Sequence, residues 1–222
     1  MAVPWSLRVA LRQNLNYWEI AKQKVIAKIY GDWEEPYNRI PALLQALQEC
    51  LPCMIHECIA VPCYNGDMVD KEWSQFDKVF WAFPPCIESF KQCKPFVSVD
   101  ETHLYGKYRS VLLIVVTQDG NNNILPIAFS LVESEAMESW SFFLSNLRQH
   151  VTPQPGILII SDRSQAIRAP LNAPHSGWHR PLAYHVYYIR HMASNLNSWF
   201  KSAEGKRYLI NAMYSPGNEG CY

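Results

Sequence analysis

Pro95–Tyr108 reads PFVSVDETHLYGKY, Arg109–Glu135 continues as RSVLLIVVTQDGNNNILPIAFSLVESE, and Gly156–Asp162 closes the region as GILIISD. Phe96 to Asp100 reads as a first strand, Ser110 to Thr117 as a second and Asn123 to Val132 as a third, because β-branched and aromatic residues crowd each run. Asp119-Gly120-Asn121 supplies the tight turn between the second and third, and turn formation accounts fully for Asp119. The second strand is almost wholly apolar, so it is expected at the centre of a sheet, buried on both faces. Residues 135 to 150 place Trp140, Phe143, Leu144 and Leu147 at helical spacing, with Glu133, Glu135 and Glu138 near the positive end of the helix dipole. Ile157 to Ser161 is a fourth strand that runs into Asp162. An aspartate thus ends the first and the fourth strand, and the fold can set Asp100 and Asp162 side by side at one end of the sheet.

Outward from this core, a short helix is expected after Arg163, then a loop holding Pro174 to Pro181, a strand over Ala183 to Tyr188 and a helix from Arg190 to Trp199. Upstream, residues 5 to 30 carry apolar residues at helical spacing and end at Gly31, a C-cap signal. Residues 34 to 50 give a second helix with Tyr37, Ile40, Leu43, Leu44, Ala46 and Leu47 on one face. Residues 52 to 70 look turn-rich, with Asn65-Gly66-Asp67 the strongest turn signal. A third helix is expected over Lys71 to Ala82 and on toward Cys93, its bulky face built from Trp73, Phe76, Phe80, Trp81 and Phe83. The expected organisation is a helical module over 1–94, an α/β core over 95–200 and a C-terminal tail over 201–222.

The 222 residues carry 20 Lys plus Arg against 20 Asp plus Glu, so no global positive charge draws the chain to a polyanion, and any DNA contact has to come from a local patch. The longest apolar run, Val111 to Val116, falls far short of the roughly 18–20 residues that cross a bilayer. No membrane association is expected, and the early charges of the N-terminus fit a soluble, intracellular chain. Of the seven cysteines, Cys50, Cys53, Cys58, Cys63 and Cys86 fall between 50 and 86. Cys50 and Cys53, with His56, Cys58 and Cys63, open on a zinc-like spacing, but the later spacings are too tight and irregular for a common finger. Unpaired thiols are the expectation, without zinc.

Three antiparallel strands, a helix, a fourth strand ending in aspartate, then helix and strand is the element order of an RNase H-like core, an α/β fold with a mixed sheet flanked by helices. In such a core, carboxylates from the first and fourth strands hold metal ions that activate a nucleophilic oxygen and stabilise a leaving one. Hard Mg²⁺ or Mn²⁺ suits carboxylate oxygens, so Asp100 and Asp162 are the candidate catalytic and metal-binding residues. The competing role for both is that of turn caps at strand ends. His175, His179, His185 and His191 are expected to pack and hydrogen-bond rather than ligate, and His103 lies near enough to Asp100 in sequence to approach the cleft. Lys107, Arg109, Arg163, Arg168, Arg180 and Arg190 either line a phosphate path or form a solvated surface.

VDETHLYGKY, LLIVVTQDGNNNILPIAFSLVESE, SWSFFLSNLRQHV, ILIISDRSQAI and HVYYIRHMASN, in this order, closely resemble the transposase domain of Mutator-like elements, abundant in plants. YGDWEEPYNRIPALLQALQE and FDKVFWAF upstream resemble the segment that precedes it. The resemblance implies a nuclear enzyme that cuts and joins DNA with Mg²⁺ or Mn²⁺, with Asp100 and Asp162 as its first two catalytic acids. Glu101 stands where the family usually has a small glycine, and as a strand neighbour of Asp100 it should point to the opposite face. Tyr188 and His191 occupy the places of a family cysteine and histidine, and a tyrosine supplies no thiolate. The family's third acid lies downstream, whereas Glu204 and Glu219 are the only acids after Asp162 and neither sits on the pattern. The expectation is a transposase-derived domain, truncated and impaired in DNA cleavage and strand transfer, the alternative being a non-catalytic DNA- or protein-interaction module.

Overall fold

Val111–Gln118 is the middle strand of a seven-stranded mixed sheet. The computed structural model describes residues 34–65, 68–104 and 110–214. The helix expected over 5–30, the turn residues Gly66 and Asp67, Lys107, Arg109, Glu219 and Cys221 therefore lie outside the described residues. In chain order the elements are α1 (Glu34–Cys50), β1 (Ile55–Asn65), β2 (Met68–Ala82), α2 (Pro84–Phe90), β3 (Phe96–His103), β4 (Val111–Gln118) and β5 (Ile124–Val132). They continue as α3 (Met137–Asn146) with a π-helical turn at Leu147–Val151, β6 (Ile157–Ser161), α4 (Gln165–Leu171), β7 (Ala183–Tyr187), α5 (Ile189–Phe200) and α6 (Ala203–Tyr214).

The spatial order is β1-β2-β5-β4-β3-β6-β7. β1 through β5 pair antiparallel, whereas β6 runs parallel to β3 and β7 parallel to β6. That parallel step needs a crossover, and α3 supplies it. This is the RNase H-like α/β core expected from the element order. β4 alternates buried and half-buried residues along its whole length, as a central strand covered on both faces should. On one face Val97, Val99, Leu113 and Val115 meet Trp140, Phe143 and Leu144 of α3 and Ile167 and Leu171 of α4. On the other, Leu44 of α1 closes over Phe76, Val79 and Leu131. Leu113 is fully buried at the centre, and Leu113→Ala should cost about 2–5 kcal/mol through lost transfer energy and the cavity left behind. Buried hydroxyls in the sheet are paired: Thr117 Oγ1 donates to the Phe96 carbonyl at 2.8 Å and Ser130 Oγ to that of Val79 at 2.7 Å.

Two expectations are corrected. The stretch read as irregular over 52–70 carries β1 from Ile55 to Asn65, and Lys71 to Ala82 is not a helix but belongs to β2: the two strands form a long hairpin, paired from Ile55↔Ala82 to Asn65↔Met68 and joined to the sheet through β5. Strands thus begin at Ile55, inside the stretch read as a helical module. A β-bulge interrupts the alternation of β2. Ile59 pairs with Lys78 and Ala60 with Phe76, which leaves Asp77 as the extra residue. The extra residue puts Phe76 on the same side as Val79, while Phe80 and Ala82 face the opposite core. The helical face expected here joined Phe76, Phe80 and Trp81, and the strand instead sends Phe80 to the core opposite Phe76 and Trp81. Ala203–Tyr214 is a further helix within the stretch expected as a tail; Ser202 Oγ accepts the Gly205 N–H at 3.0 Å near its start. Among the described residues no helix is long and apolar enough to cross a membrane.

Candidate functional site

The parallel pairing of β3 with β6 runs Phe96↔Leu158, Val97↔Ile159 and Ser98↔Ile160. Asp100 lies two residues beyond Ser98 and Asp162 two beyond Ile160, so the register brings both aspartates level at one end of the sheet. Each also makes a local contact. Asp100 Oδ1 accepts the N–H of Glu101 at 3.0 Å, and Asp162 Oδ1 accepts the N–H of Ser164. Asp100 is exposed and Asp162 half-buried.

Two further acids belong to this neighbourhood. Glu101 continues the side of β3 that carries buried Val97 and Val99, opposite to Asp100, as strand alternation requires. Half-buried there, its carboxyl is pushed up to about 7, first by burial and then by the negative charges of Glu135, Asp100 and Asp162. Glu135 lies in the turn between β5 and α3, and its Oε1 accepts a hydrogen bond from Ser164 Oγ at 3.1 Å. Sequence reading placed Glu135 only as a complement to the helix dipole. Its approach to Glu101 and Ser164 depends on the packing of α3 against α4, which no local signal carries. Among the described residues no three His, Cys, Asp or Glu side chains converge closely enough to hold a metal ion between them. Asp100 and Asp162 are the pair that could hold one, and their oxygens are the donors that Mg²⁺ or Mn²⁺ takes. A cation here would relieve the crowding of like charge that raises Glu101.

Tyr188 closes the site from the other side. Its N–H donates to the Ser161 carbonyl at 2.9 Å, which carries the chain from β7 into α5 across the end of β6. Its hydroxyl sits 2.6 Å from Ser98 Oγ and donates to the Val99 carbonyl at 3.3 Å. Burial pushes this phenol up, and the charges of Asp100, Glu101 and Asp162 add to the effect against the Ser98 hydrogen bond. Tyr188 therefore ties the start of α5 to β3 beside the acids. His191 packs its ring 4.7 Å from that of Tyr188.

The remaining candidates scatter. His185 Nε2 lies 2.8 Å from Ser161 Oγ, and burial, reinforced by Arg168, lowers its pKa and favours the neutral ring. His179 Nε2 lies 2.8 Å from the Ala173 carbonyl oxygen, and His175 lines a groove with Pro174 and Trp178. His103 is exposed on the extension of β3. The six described cysteines are free thiols, Cys50 and Cys53 exposed, and burial pushes Cys58 up. Arg163, next to Asp162, stacks its guanidinium 5.7 Å from the Tyr187 ring centroid, and Arg180 does the same over Tyr184 at 5.2 Å.

No curated protein sequence matches the chain. A family model does: residues 96–195, from the start of β3 into α5, match the MULE transposase domain. That span contains both aspartates, the crossover helix and Tyr188. Residues 96–195 form a Mutator-like element transposase domain on an RNase H-like core.

Proposed function

We propose that this transposase-derived domain engages DNA, and that Asp100 and Asp162 together hold Mg²⁺ or Mn²⁺ for the cleavage and joining of phosphodiester bonds. The parallel β3–β6 register, which brings the two aspartates level within the transposase domain, carries this reading. Bound there, a divalent cation supplies polarisation of a phosphate oxygen and activation of the attacking one. The chain supplies the rest. The Glu101 and Ser164 amides fix one oxygen of Asp100 and of Asp162. Arg163 and Arg180, stacked on exposed or half-exposed tyrosines, offer phosphate contacts that position a backbone without reading its sequence.

Calorimetric titration with Mn²⁺ tests the site: the wild-type chain should bind, and Asp100→Asn and Asp162→Asn should each bind far more weakly. Equal binding by all three would remove the assignment. A second reading, a DNA- or protein-interaction module that does not cut, draws on the same local contacts. Both aspartates already serve as acceptors for nearby backbone N–H groups, a role that needs no cation. Supercoiled DNA with Mn²⁺ separates the two: the cutting domain nicks it, whereas the interaction module retards it intact.

A further inference from the structure

Two hydrogen bonds meet at Ser164. Its N–H donates to Asp162 Oδ1, and its hydroxyl donates to Glu135 Oε1 at 3.1 Å. We propose that Glu135 and Ser164 act as a positioning relay for the cation site, Glu135 holding Ser164 and Ser164 holding the Asp162 carboxylate. The relay rests on the cation-site reading above and deepens it.

The geometry of Ser164 is the first support. It occupies the N-cap position of α4 with extended backbone (φ −63°, ψ 147°), where a serine ordinarily turns its hydroxyl back onto a free N–H of the first helical turn. Here no such side-chain cap is made. The hydroxyl reaches instead across 29 residues of sequence to Glu135. A residue suited to cap its own helix is thus committed to a carboxylate on another element.

The far end of the relay is braced as well. The Ser134 carbonyl, one residue before Glu135, accepts the Ala136 N–H at 3.0 Å and Ser139 Oγ at 2.9 Å, which ties the turn to the first turn of α3. Trp140, Phe143 and Leu144 of α3 and Ile167 and Leu171 of α4 share one buried cluster, so the helix that follows Glu135 is packed against the helix that follows Ser164. Glu135 also lies within electrostatic reach of Glu101. A carboxylate set among like charges is unfavourable unless a donor holds it, and Ser164 is that donor. Such outer partners of metal-ligating carboxylates orient the ligand, and their loss typically lowers metal affinity.

The test measures Mn²⁺ affinity of the full chain by calorimetry, with thermal melting as a check on folding. Ser164→Ala keeps the N–H to Asp162 but removes the hydroxyl, and Glu135→Ala removes the acceptor. Each should weaken binding by roughly 10- to 100-fold. The double variant should be no worse than the weaker single, because both changes break one link. Ser164→Thr keeps a hydroxyl and Glu135→Gln keeps an acceptor oxygen, so both should bind close to wild type. If Glu135→Gln is as weak as Glu135→Ala, Glu135 acts by its charge or as a ligand, and the relay is overturned. Wild-type affinity in Ser164→Ala overturns it too. Asp162→Asn keeps the two failures apart: if it abolishes binding while Ser164→Ala and Glu135→Ala bind like wild type, only the relay fails, and if it binds like wild type itself the cation site is wrong.

Discussion

Two turns in this molecule start in the same way and end in different places. Asp119 follows β4 and Asp162 follows β6, and each offers Oδ1 to the backbone N–H two residues on, that of Asn121 or Ser164. Asp119 spends the rest of its carboxylate locally, with the Asn123 N–H and side-chain amide both at 2.8 Å, while Asn122 takes the left-handed conformation (φ 67°) that closes the loop. The Asn123 amide above all, then its N–H, that of Asn121 and nearby Lys94, hold Asp119 below the ordinary carboxylate range. Asp162 instead shares its end of the sheet with Asp100, Glu101 and Glu135. The local motif is the same and the field is opposite. An aspartate at a strand end says only that a turn follows, and it becomes a candidate site when the topology brings other acids to it.

The largest effect that separates the turns should be on metal affinity. Asp162→Asn is expected to lower Mn²⁺ affinity by at least the roughly 100-fold that bounds the loss of an outer partner, whereas Asp119→Asn should leave the calorimetric isotherm unchanged. A comparable loss from both would mean that Mn²⁺ binds by general charge. Next comes stability without metal, where the signs should differ. Asp119→Ala removes three hydrogen bonds and should lower Tm. Asp162→Asn keeps an acceptor for Ser164 and deletes a charge near Glu101, so Tm should rise by roughly 1–4 °C, the size of a change of up to about 1 kcal/mol. A fall in Tm for Asp162→Asn would show that the turn, not the field, governs this position.

The pH dependence of Tm sharpens the contrast further. Glu101 has its carboxyl raised from 4.5 to about 7 in the folded chain. The folded state then holds a proton that the unfolded state releases, so this contribution to stability is fully present below pH 4.5 and is lost as pH rises through about 7. Asp119 is lowered from 3.8, so its contribution is present above that value and is lost as pH falls through its folded pKa. In metal-free buffer Glu101→Gln should flatten the upper slope alone, and Asp119→Asn the acid slope alone. Saturating Mn²⁺ should reduce the upper slope without abolishing it, since a cation offsets the repulsion from the neighbouring acids but not burial, the larger cause of the Glu101 shift.

The sequence made one of these turns fully legible and the other only half. Asp-Gly-Asn between two apolar runs specifies the β4–β5 turn through short-range geometry, and the almost wholly apolar run of Val111 to Thr117 specifies the centre of the sheet. The element order placed Asp100 and Asp162 at neighbouring strand ends. Glu101 and Ser164 come with them as chain neighbours, but Glu135 reaches Ser164 only through the packing of α3 and α4, a contact between distant segments that leaves no periodic mark. The hairpin β1–β2 was hidden for a different reason. Its bulge at Asp77 shifts Phe76 to the side of Val79, and Pro62 interrupts β1, so neither strand keeps the period-two pattern that identifies one.

The smallest effect concerns Lys94. Its Nζ donates to Asn122 Oδ1 at 2.5 Å, and it is the last of the groups that hold Asp119 down. Its backbone is engaged separately: the Lys94 N–H donates to the Gln118 carbonyl at 3.0 Å, a bond that a substitution of the side chain leaves in place. Lys94→Met should therefore shift Tm by no more than roughly 1 °C, as expected for a single partly solvated charge. The Asp119 carboxylate, followed by NMR titration, should move up only slightly, because the Asn123 amide and the two backbone N–H groups still hold it. Asn123→Ala should move it much further. If Lys94→Met has the larger effect, Asp119 is governed by an external charge just as Asp162 is, and the distinction between a self-contained turn and one embedded in a charged site no longer holds.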